Sequence, residues 1–244
     1  SRGHGDLPFA PRGPSSSRPL RVYSAPAPFP QEPRGNGGRS GRSAAQTARG
    51  LLEFHERGGY NTPTEADLEQ GKRLAFIGGG NKAEALLRGI VAANRIRPGE
   101  LIATDVREDR LAYLRSTYGI EVTTDNAAAA RQCDVILLAV KPQGMRTALE
   151  SLREVVTEHH LIISIAAGVS TAAIADAFPR PVRIVRVMPN TPALVLEGAS
   201  ALARGAHATQ ADLEMARGLF EAVGTTVVVD EPLLDAVTGL SGSG

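Results

Sequence analysis

The chain has 244 residues, of which 42% are hydrophobic, 22% charged and 4% aromatic, and its formal net charge at pH 7 is +1. A charge this close to zero creates no field that would attract nucleic acid or an acidic membrane surface, and so few aromatic side chains exclude a base-stacking platform. The one cysteine, Cys133, excludes an internal disulfide and suits a reducing compartment, so we expect a cytoplasmic protein. We expect no membrane partner, because no apolar stretch approaches the ~20 residues that span a bilayer.

Residues 1–70 differ in composition from the rest of the chain. Pro, Gly, Ser, Arg and Ala dominate them, and apolar residues occur there without a period, so we predict a disordered low-complexity segment. Its many arginines and few acids are typical of an organelle transit peptide. A plain linker, or upstream sequence wrongly joined to the gene, is the other interpretation. An organellar location follows only if the segment is a genuine transit peptide.

From residue 72 onward, short apolar runs alternate with amphipathic stretches. Strands are predicted at 74–77, 101–104, 121–122, 135–140, 161–165, 182–187, 199–203 and 225–229. Helices are predicted at 81–94, 109–118, 126–131, 142–157, 170–178 and 210–223, with another beginning at 233–237. This order predicts an α/β fold with a Rossmann-like, doubly wound and mostly parallel sheet.

The first predicted strand runs into a glycine turn and then a helix. Gly78, Gly80 and Ala83 fit G-x-G-x-x-A, the Ala-ended form of the dinucleotide fingerprint. The first glycine allows a sharp turn, the second leaves room for a pyrophosphate near the backbone, and Ala83 lets the helix pack closely on the sheet. The helix start also presents N–H groups and the positive end of its dipole to phosphates. Glycine turns are common, so the motif by itself is not specific. The predicted strand before it and the predicted helix after it support the prediction.

Asp105 follows the second predicted strand, 27 positions after Gly78 and somewhat beyond the usual spacing of ~20. An acid at this place hydrogen-bonds the adenosine ribose and favours NAD. Arg107 and Arg110 come next and would neutralise the 2′-phosphate of NADP, although both also fit a solvated charged loop. NAD and NADP therefore both stay open at this point.

Further residues at predicted strand ends suit a ligand crevice. Lys141 follows a buried strand at a helix start, where a cation opposes the helix dipole, and this local conflict favours function over a solvated surface position. The small residues 164–168 would let a flat ring lie against the backbone, or would simply pack closely. Asn190 and Thr191 would fix a carboxamide, or would form an Asn-Thr-Pro turn. No histidine has a partner at ligand spacing, so we expect no metal site.

Five segments together resemble the pyrroline-5-carboxylate reductase family in order and spacing, over residues 72–244. They are FIGGGNKAEAL, ILLAVKPQ, SIAAGV, VMPNTPALVLEGAS and LLDAVTGLSGSG. The resemblance implies an NAD(P)-binding Rossmann domain at 72–230 and, from 231–244, the start of an all-helical dimerisation domain. It implies NAD(P)H-dependent reduction of 1-pyrroline-5-carboxylate to L-proline, the last step of proline biosynthesis. It also implies a dimer-based homo-oligomer, with NADP as the expected cofactor and NAD as the alternative.

The resemblance also assigns site residues. The cofactor-contacting positions fall on Ile77, Gly78, Gly79, Gly80, Asn81, Lys82, Asp105, Asn126, Ala139, Val140, Lys141, Pro142, Ile165, Ala166 and Ala167. The substrate-contacting positions fall on Glu231, Thr238, Ser241, Gly242, Ser243 and Gly244. A protonated imine is already electrophilic, so hydride transfer needs positioning more than a general acid, and we nominate no catalytic acid or base.

Two features depart from the family pattern. Lys82 stands where the family often has Met or Leu, and the Pro-Ala-Tyr and helices that usually follow the SGSG segment are absent from these 244 residues. The first methionine is Met145, so we expect a fragment that binds NAD(P)H with little turnover and exposes Leu233, Leu234, Val237 and Leu240. The alternatives are an NAD(P)-binding fragment without catalysis and a related imine or β-hydroxyacid dehydrogenase.

Overall fold

The computed structural model describes residues 71–242, and the side chains of residues 71–240. The predictions for residues 1–70 and the assignments to Ser243 and Gly244 lie outside the described residues. For Ser241 and Gly242 only the backbone is described.

The described residues form an eight-stranded sheet. Its strands are β1 (Leu74–Ile77), β2 (Leu101–Thr104), β3 (Glu121–Thr123), β4 (Val135–Leu138), β5 (Leu161–Ser164), β6 (Arg183–Pro189), β7 (Gly198–Arg204) and β8 (Gly224–Val228). They lie in the order β3-β2-β1-β4-β5-β6-β7-β8. Every neighbouring pair is parallel except β6 and β7, so β7 and β8 run against the other six strands. The predicted fold class, a Rossmann-like and mostly parallel sheet, is confirmed.

Helices lie on both faces of this sheet. They are α1 (Asn81–Ala92), α2 (Glu108–Tyr118), α3 (Asn126–Ala130), α4 (Met145–Leu152), α5 (Thr171–Ala175), α6 (Gln210–Phe220) and α7 (Leu233–Val237). The predicted helix at 142–157 is wrong at both ends, because Pro142–Gly144 forms a 3₁₀ turn and α4 stops at Leu152. None of the helices within residues 71–242 is both long and apolar enough to pass through a bilayer.

The core consists of two apolar layers, one on each face of the sheet. Side chains alternate along a strand, so Leu74 and Phe76 of β1 meet α1 and α6, while Ala75 and Ile77 lie in the layer with α3 and α4. All four residues of β1 are fully buried. This two-sided burial is why the central strands read as continuous apolar runs rather than as alternating patterns.

The C-terminal end of the described chain packs against β6 and β7. Helix α7 continues into a π-helical turn, Thr238–Gly242. The prediction that Leu234 is exposed is wrong, because its side chain is fully buried with Met188 and two alanines of β7. The predicted exposure of Leu233 (53%) and Leu240 (82%) is confirmed.

Candidate dinucleotide site

The glycine turn sits between β1 and α1 with a backbone that only glycine tolerates at its first position. Gly78 has φ +99°, and a Cβ there would lie 3.1 Å from Val140 Cγ1 and 3.2 Å from the Ala139 carbonyl oxygen. At Gly80 a Cβ would meet no atom within 4 Å, so the space in front of the helix start is open. Ala83 is buried against the sheet. Each small residue therefore has the geometric role that the fingerprint requires.

Strand β2 holds this turn from the side. The Gly78 N–H donates to the Thr104 carbonyl oxygen (3.0 Å), and the Gly79 N–H donates to Asp105 Oδ2 (2.9 Å). Asp105 Oδ1 accepts from the Arg107 N–H (3.0 Å). Both carboxylate oxygens thus already bind the backbone, although an ionised carboxylate offers about four acceptor positions. The ribose contact of Asp105 stays a prediction, and its support of the turn is a second role that the sequence analysis did not include.

Arg110 also holds the turn, from α2. Its Nε donates to the Gly79 carbonyl oxygen (2.6 Å), and Nη2 pairs with Glu84 Oε2 (2.5 Å). Glu84 Oε1 accepts from the hydroxyls of Tyr113 (3.0 Å) and Tyr118 (2.9 Å). Burial alone would raise the pKa of Glu84, but the hydrogen bonds from Arg110, Tyr118 and Tyr113 outweigh it and hold this pKa below its usual value. The Arg110 guanidinium is therefore already bound to the Gly79 carbonyl oxygen and to Glu84.

Arg107 is placed differently. Its side chain is 67% exposed and forms an ion pair with Asp109 at the surface, just beyond Asp105. Exposed pairs of this kind contribute little to stability because solvent screens them, so the guanidinium can exchange Asp109 for another anion. Of the two predicted phosphate-binding arginines, the structure leaves Arg107 the more available.

The carboxyl ends of β1, β4 and β5 bring most of the predicted cofactor residues to one edge of the sheet. Ile77 is in register with Leu138, and Leu138 with Ser164. The segments that follow these strands therefore lie side by side, as parallel strand ends do. They contain the turn at 77–82, Ala139, Val140, Lys141 and Pro142, and Ile165, Ala166 and Ala167.

Two other predicted residues lie around this edge, and Lys82 of the turn faces a pocket there. Asn126 begins α3, where Oδ1 accepts from the Thr104 hydroxyl (2.6 Å). Asn190 Oδ1 accepts from the Ala199 N–H (2.9 Å), which ties the loop after β6 to β7. Lys82 is exposed in the first turn of α1 and lines a pocket together with Asn190 and Ile165. The lysine therefore faces a cleft beside the glycine turn.

The predicted substrate residues lie at the other end of the described chain. Glu231 Oε1 accepts from the Thr171 N–H (2.7 Å), and Oε2 accepts from the Thr171 hydroxyl (2.6 Å). The Thr238 hydroxyl donates to the Leu234 carbonyl oxygen (2.7 Å) within the helix. Sequence analysis missed Arg186, a buried cation on β6 whose partners are Glu231 and Asp235. The available signal was an arginine inside the otherwise apolar run IVRVM.

The described residues contain neither a reactive cysteine nor a metal site. Burial raises the pKa of the Cys133 thiol to about 12, so it stays protonated and unreactive near neutral pH. Among residues 71–242 there is no group of three or more His, Cys, Asp or Glu side chains placed to hold a metal ion.

This combination of fold and turn defines a Rossmann-type dinucleotide-binding protein. A protein-family model described as "NADP oxidoreductase coenzyme F420-dependent" matches residues 73–168. The chain is 46% identical over 175 residues to a pyrroline-5-carboxylate reductase of Methanosarcina acetivorans, a match covering 72% of this chain and 65% of the relative. It is 44% identical over 172 residues to one of Synechocystis, covering 70% of this chain and 64% of the relative. Over about 175 residues the chain is therefore similar in sequence to pyrroline-5-carboxylate reductases.

Solved structures show the same similarity. The pyrroline-5-carboxylate reductase of Coxiella burnetii is 34% identical with a TM-score of 0.68, covering 71% of this chain and 64% of that one. The enzyme of Plasmodium falciparum, solved with NADP bound, is 28% identical with a TM-score of 0.64, covering 71% and 63%. A prephenate dehydrogenase of Aquifex aeolicus, 14% identical with a TM-score of 0.59 over 69% of this chain and 63% of that one, shares only the fold. The chain spans 65% of the length of the first relatives.

Proposed function

We propose that the protein is an NAD(P)H-dependent reductase that transfers a hydride to the C=N carbon of 1-pyrroline-5-carboxylate and produces L-proline. The observation that supports this most is the glycine turn, which is open in front of Gly80 and lies at the same sheet edge as the carboxyl ends of β4 and β5, in a chain similar to pyrroline-5-carboxylate reductases. The proposal includes the division into a Rossmann domain at 72–230 and the start of a helical domain at 231–244.

Each part of the groove has a proposed role toward the cofactor. The backbone N–H groups at the start of α1 would bind the pyrophosphate, because Gly80 leaves the approach open. Asp105 and Asn126 would lie nearest the adenosine ribose, with Arg107 beside a 2′-phosphate. Ile165, Ala166 and Ala167 would flank the nicotinamide. NADP is the proposed cofactor, because a relative is solved with NADP and Arg107 is exposed beside Asp105. NAD is the alternative, because an acid at the place of Asp105 suits the ribose 2′-hydroxyl.

The chemistry proposed for the substrate relies on binding and orientation. The cofactor supplies the hydride, and a protonated imine accepts it without further activation. The protein's own contribution is to hold the two reactants in contact and exclude water. The segment 238–244 would bind the substrate carboxylate through backbone N–H groups, with Glu231 beside it. No side chain is proposed as a general acid.

We also propose a dimer-based oligomer. Apolar side chains are exposed on β8 (Val227 and Val228) and near α7 (Leu233 and Leu240), which supports a covering partner at this end of the molecule. A cytoplasmic location is part of the proposal, supported by the single cysteine.

A second candidate function is cofactor binding without turnover. It is favoured by one observation, that the open space in front of Gly80 suits a pyrophosphate whether or not a substrate is reduced. Titration of the 244-residue chain with NADPH and NADH, followed by nicotinamide fluorescence, and a proline-forming assay with pyrroline-5-carboxylate separate the two. Binding with turnover supports the reductase, and binding alone supports the second function. Failure to bind either nucleotide would overturn both.

A further inference from the structure

Arg186 is a cation in the apolar centre of the sheet. It lies in the middle of β6 and is 3% exposed, between buried Val185 and Val187. A guanidinium stays charged at any pH that a protein meets. Burying such a charge is costly unless it is paired and hydrogen-bonded. The position of Arg186 therefore depends on its acidic partners.

Both partners come from the short segment after the last strand. Arg186 Nη2 donates to Asp235 Oδ1 (2.8 Å), and Nη1 lies 3.5 Å from Glu231 Oε1. Glu231 precedes α7 and Asp235 lies within its first turn. One buried cation thus attaches the beginning of α7 to β6 at two points. Glu231 extends the link to α5, because its two oxygens accept from the N–H and hydroxyl of Thr171.

The attached helix leads directly into the segment assigned to the substrate. Leu234, between the two acids, is fully buried with Met188 of β6. Two charged contacts and one apolar contact therefore fix where α7 lies on the sheet. Thr238–Gly242 follows without an intervening loop, and Gly239 and Leu240 are exposed. The place of this segment relative to the strand ends is consequently set by α7.

We propose that Arg186 is a positioning residue for the substrate-binding segment 238–242. It acts by holding Glu231 and Asp235, and its own guanidinium is too buried to receive the substrate. This inference rests on the proposed reductase function. The contacts that hold the glycine turn come from Thr104, Asp105 and Arg110, and none of them involves Arg186. Loss of Arg186 should therefore impair substrate binding and leave cofactor binding intact.

The test compares Arg186→Met with Arg183→Met. Arg183 is the first residue of the same strand and also forms an ion pair, with Asp212 Oδ1 of α6 at 2.7 Å. The readouts are the NADPH Kd, the kcat and KM for pyrroline-5-carboxylate, and hydrogen exchange of amides 233–242. For Arg186→Met we expect KM to rise about tenfold or more, faster exchange of amides 233–242, and an NADPH Kd within about twofold of the parent. Arg183→Met should leave both KM and this exchange near parental values.

Arg186→Lys provides the second variant. Lysine keeps the charge but lacks the two-pronged geometry, so it should restore one contact and give an intermediate KM and exchange rate. If Arg186→Met does not fold, Asp235→Ala removes one contact at a side chain that is 71% exposed, and exchange of amides 233–242 should still increase.

The outcomes are distinguishable from failure of the proposed function. If the parent protein makes no proline, the reductase proposal fails, while the exchange comparison still tests whether Arg186 holds the segment. Unchanged KM and exchange in a folded Arg186→Met protein would overturn the positioning role. Equal losses of NADPH and substrate affinity would also overturn it, because they would indicate a general structural role.

Discussion

The two outer glycines of the turn should fail in different ways when each is replaced by alanine. At Gly78 the new side chain meets a backbone at φ +99° and atoms of Val140 and Ala139 at 3.1–3.2 Å. Such backbone strain costs about 1–3 kcal/mol, and forcing the neighbours apart costs about 1 kcal/mol more. Gly78→Ala should therefore lower the free energy of unfolding by about 2–4 kcal/mol.

At Gly80 the same methyl group has nothing within 4 Å, and φ is −67°. Gly80→Ala should therefore change the free energy of unfolding by no more than about 0.5 kcal/mol, because the stiffer unfolded chain offsets a slightly poorer helix cap. The methyl occupies the space proposed for the pyrophosphate, so NADPH affinity should fall at least about tenfold, which is about 1.4 kcal/mol. Gly78→Ala therefore tests the contribution of the turn to stability, and Gly80→Ala tests its contribution to nucleotide binding.

Urea unfolding and NADPH fluorescence titration measure the two quantities. Gly119→Ala is the matched control, since Gly119 has φ +69° with no atom within 4 Å of a Cβ and ends α2 away from the groove. It should lose about 1–2 kcal/mol of stability from backbone strain and keep its NADPH affinity. Parental NADPH affinity in Gly80→Ala, or parental stability in Gly78→Ala, would refute the reasoning.

Four other substitutions or treatments test the surroundings of the turn. Arg107→Ala should weaken NADPH binding about tenfold while sparing NADH, and an unchanged ratio of the two Kd values would remove Arg107 from phosphate recognition. Arg110→Met should weaken both nucleotides alike, because Arg110 holds the Gly79 carbonyl oxygen; a selective loss of NADPH would contradict this. Folding lowers the pKa of Glu84, so the stabilising effect of its carboxylate is complete above the ordinary pKa and declines as the pH falls through the folded value. The difference in the free energy of unfolding between the parent and Glu84→Gln should therefore shrink as the pH is lowered from 7, as urea titrations at several pH values would show. Burial raises the pKa of Cys133 to about 12, so its thiol should resist iodoacetamide at pH 8 until urea unfolds the chain. Labelling of the folded protein would contradict the burial of this side chain.

Local signals predicted the sheet and the turn well. The buried parallel strands are apolar on both faces, so a run such as Leu74–Ile77 is recognisable without knowing its neighbours. Helix caps are local in the same way, because Asp125 and Ser170 each accept from an N–H only three residues ahead. Helix α4 was predicted too long, since Pro142 marks the start of a helix but does not say that the first turn is 3₁₀.

Long-range pairings limited the rest. Asp105 was placed correctly at a strand end, but its bond to Gly79 joins residues 26 positions apart and is not visible in the sequence. Arg186 pairs with Asp235 over 49 positions, and Leu234 is buried only because α7 docks on another part of the sheet. Periodicity identifies which face of an element is apolar, whereas such contacts depend on how elements meet in three dimensions.

The bonds from Asp105 and Arg110 to Gly79 have an energetic consequence for ligand recognition. They hold both backbone polar groups of Gly79, its N–H and its carbonyl oxygen. The turn is thus preorganised before any dinucleotide arrives, and little conformational entropy remains to be lost there on association. Most of the interaction free energy at the phosphates is then retained as affinity instead of being consumed by ordering a mobile loop.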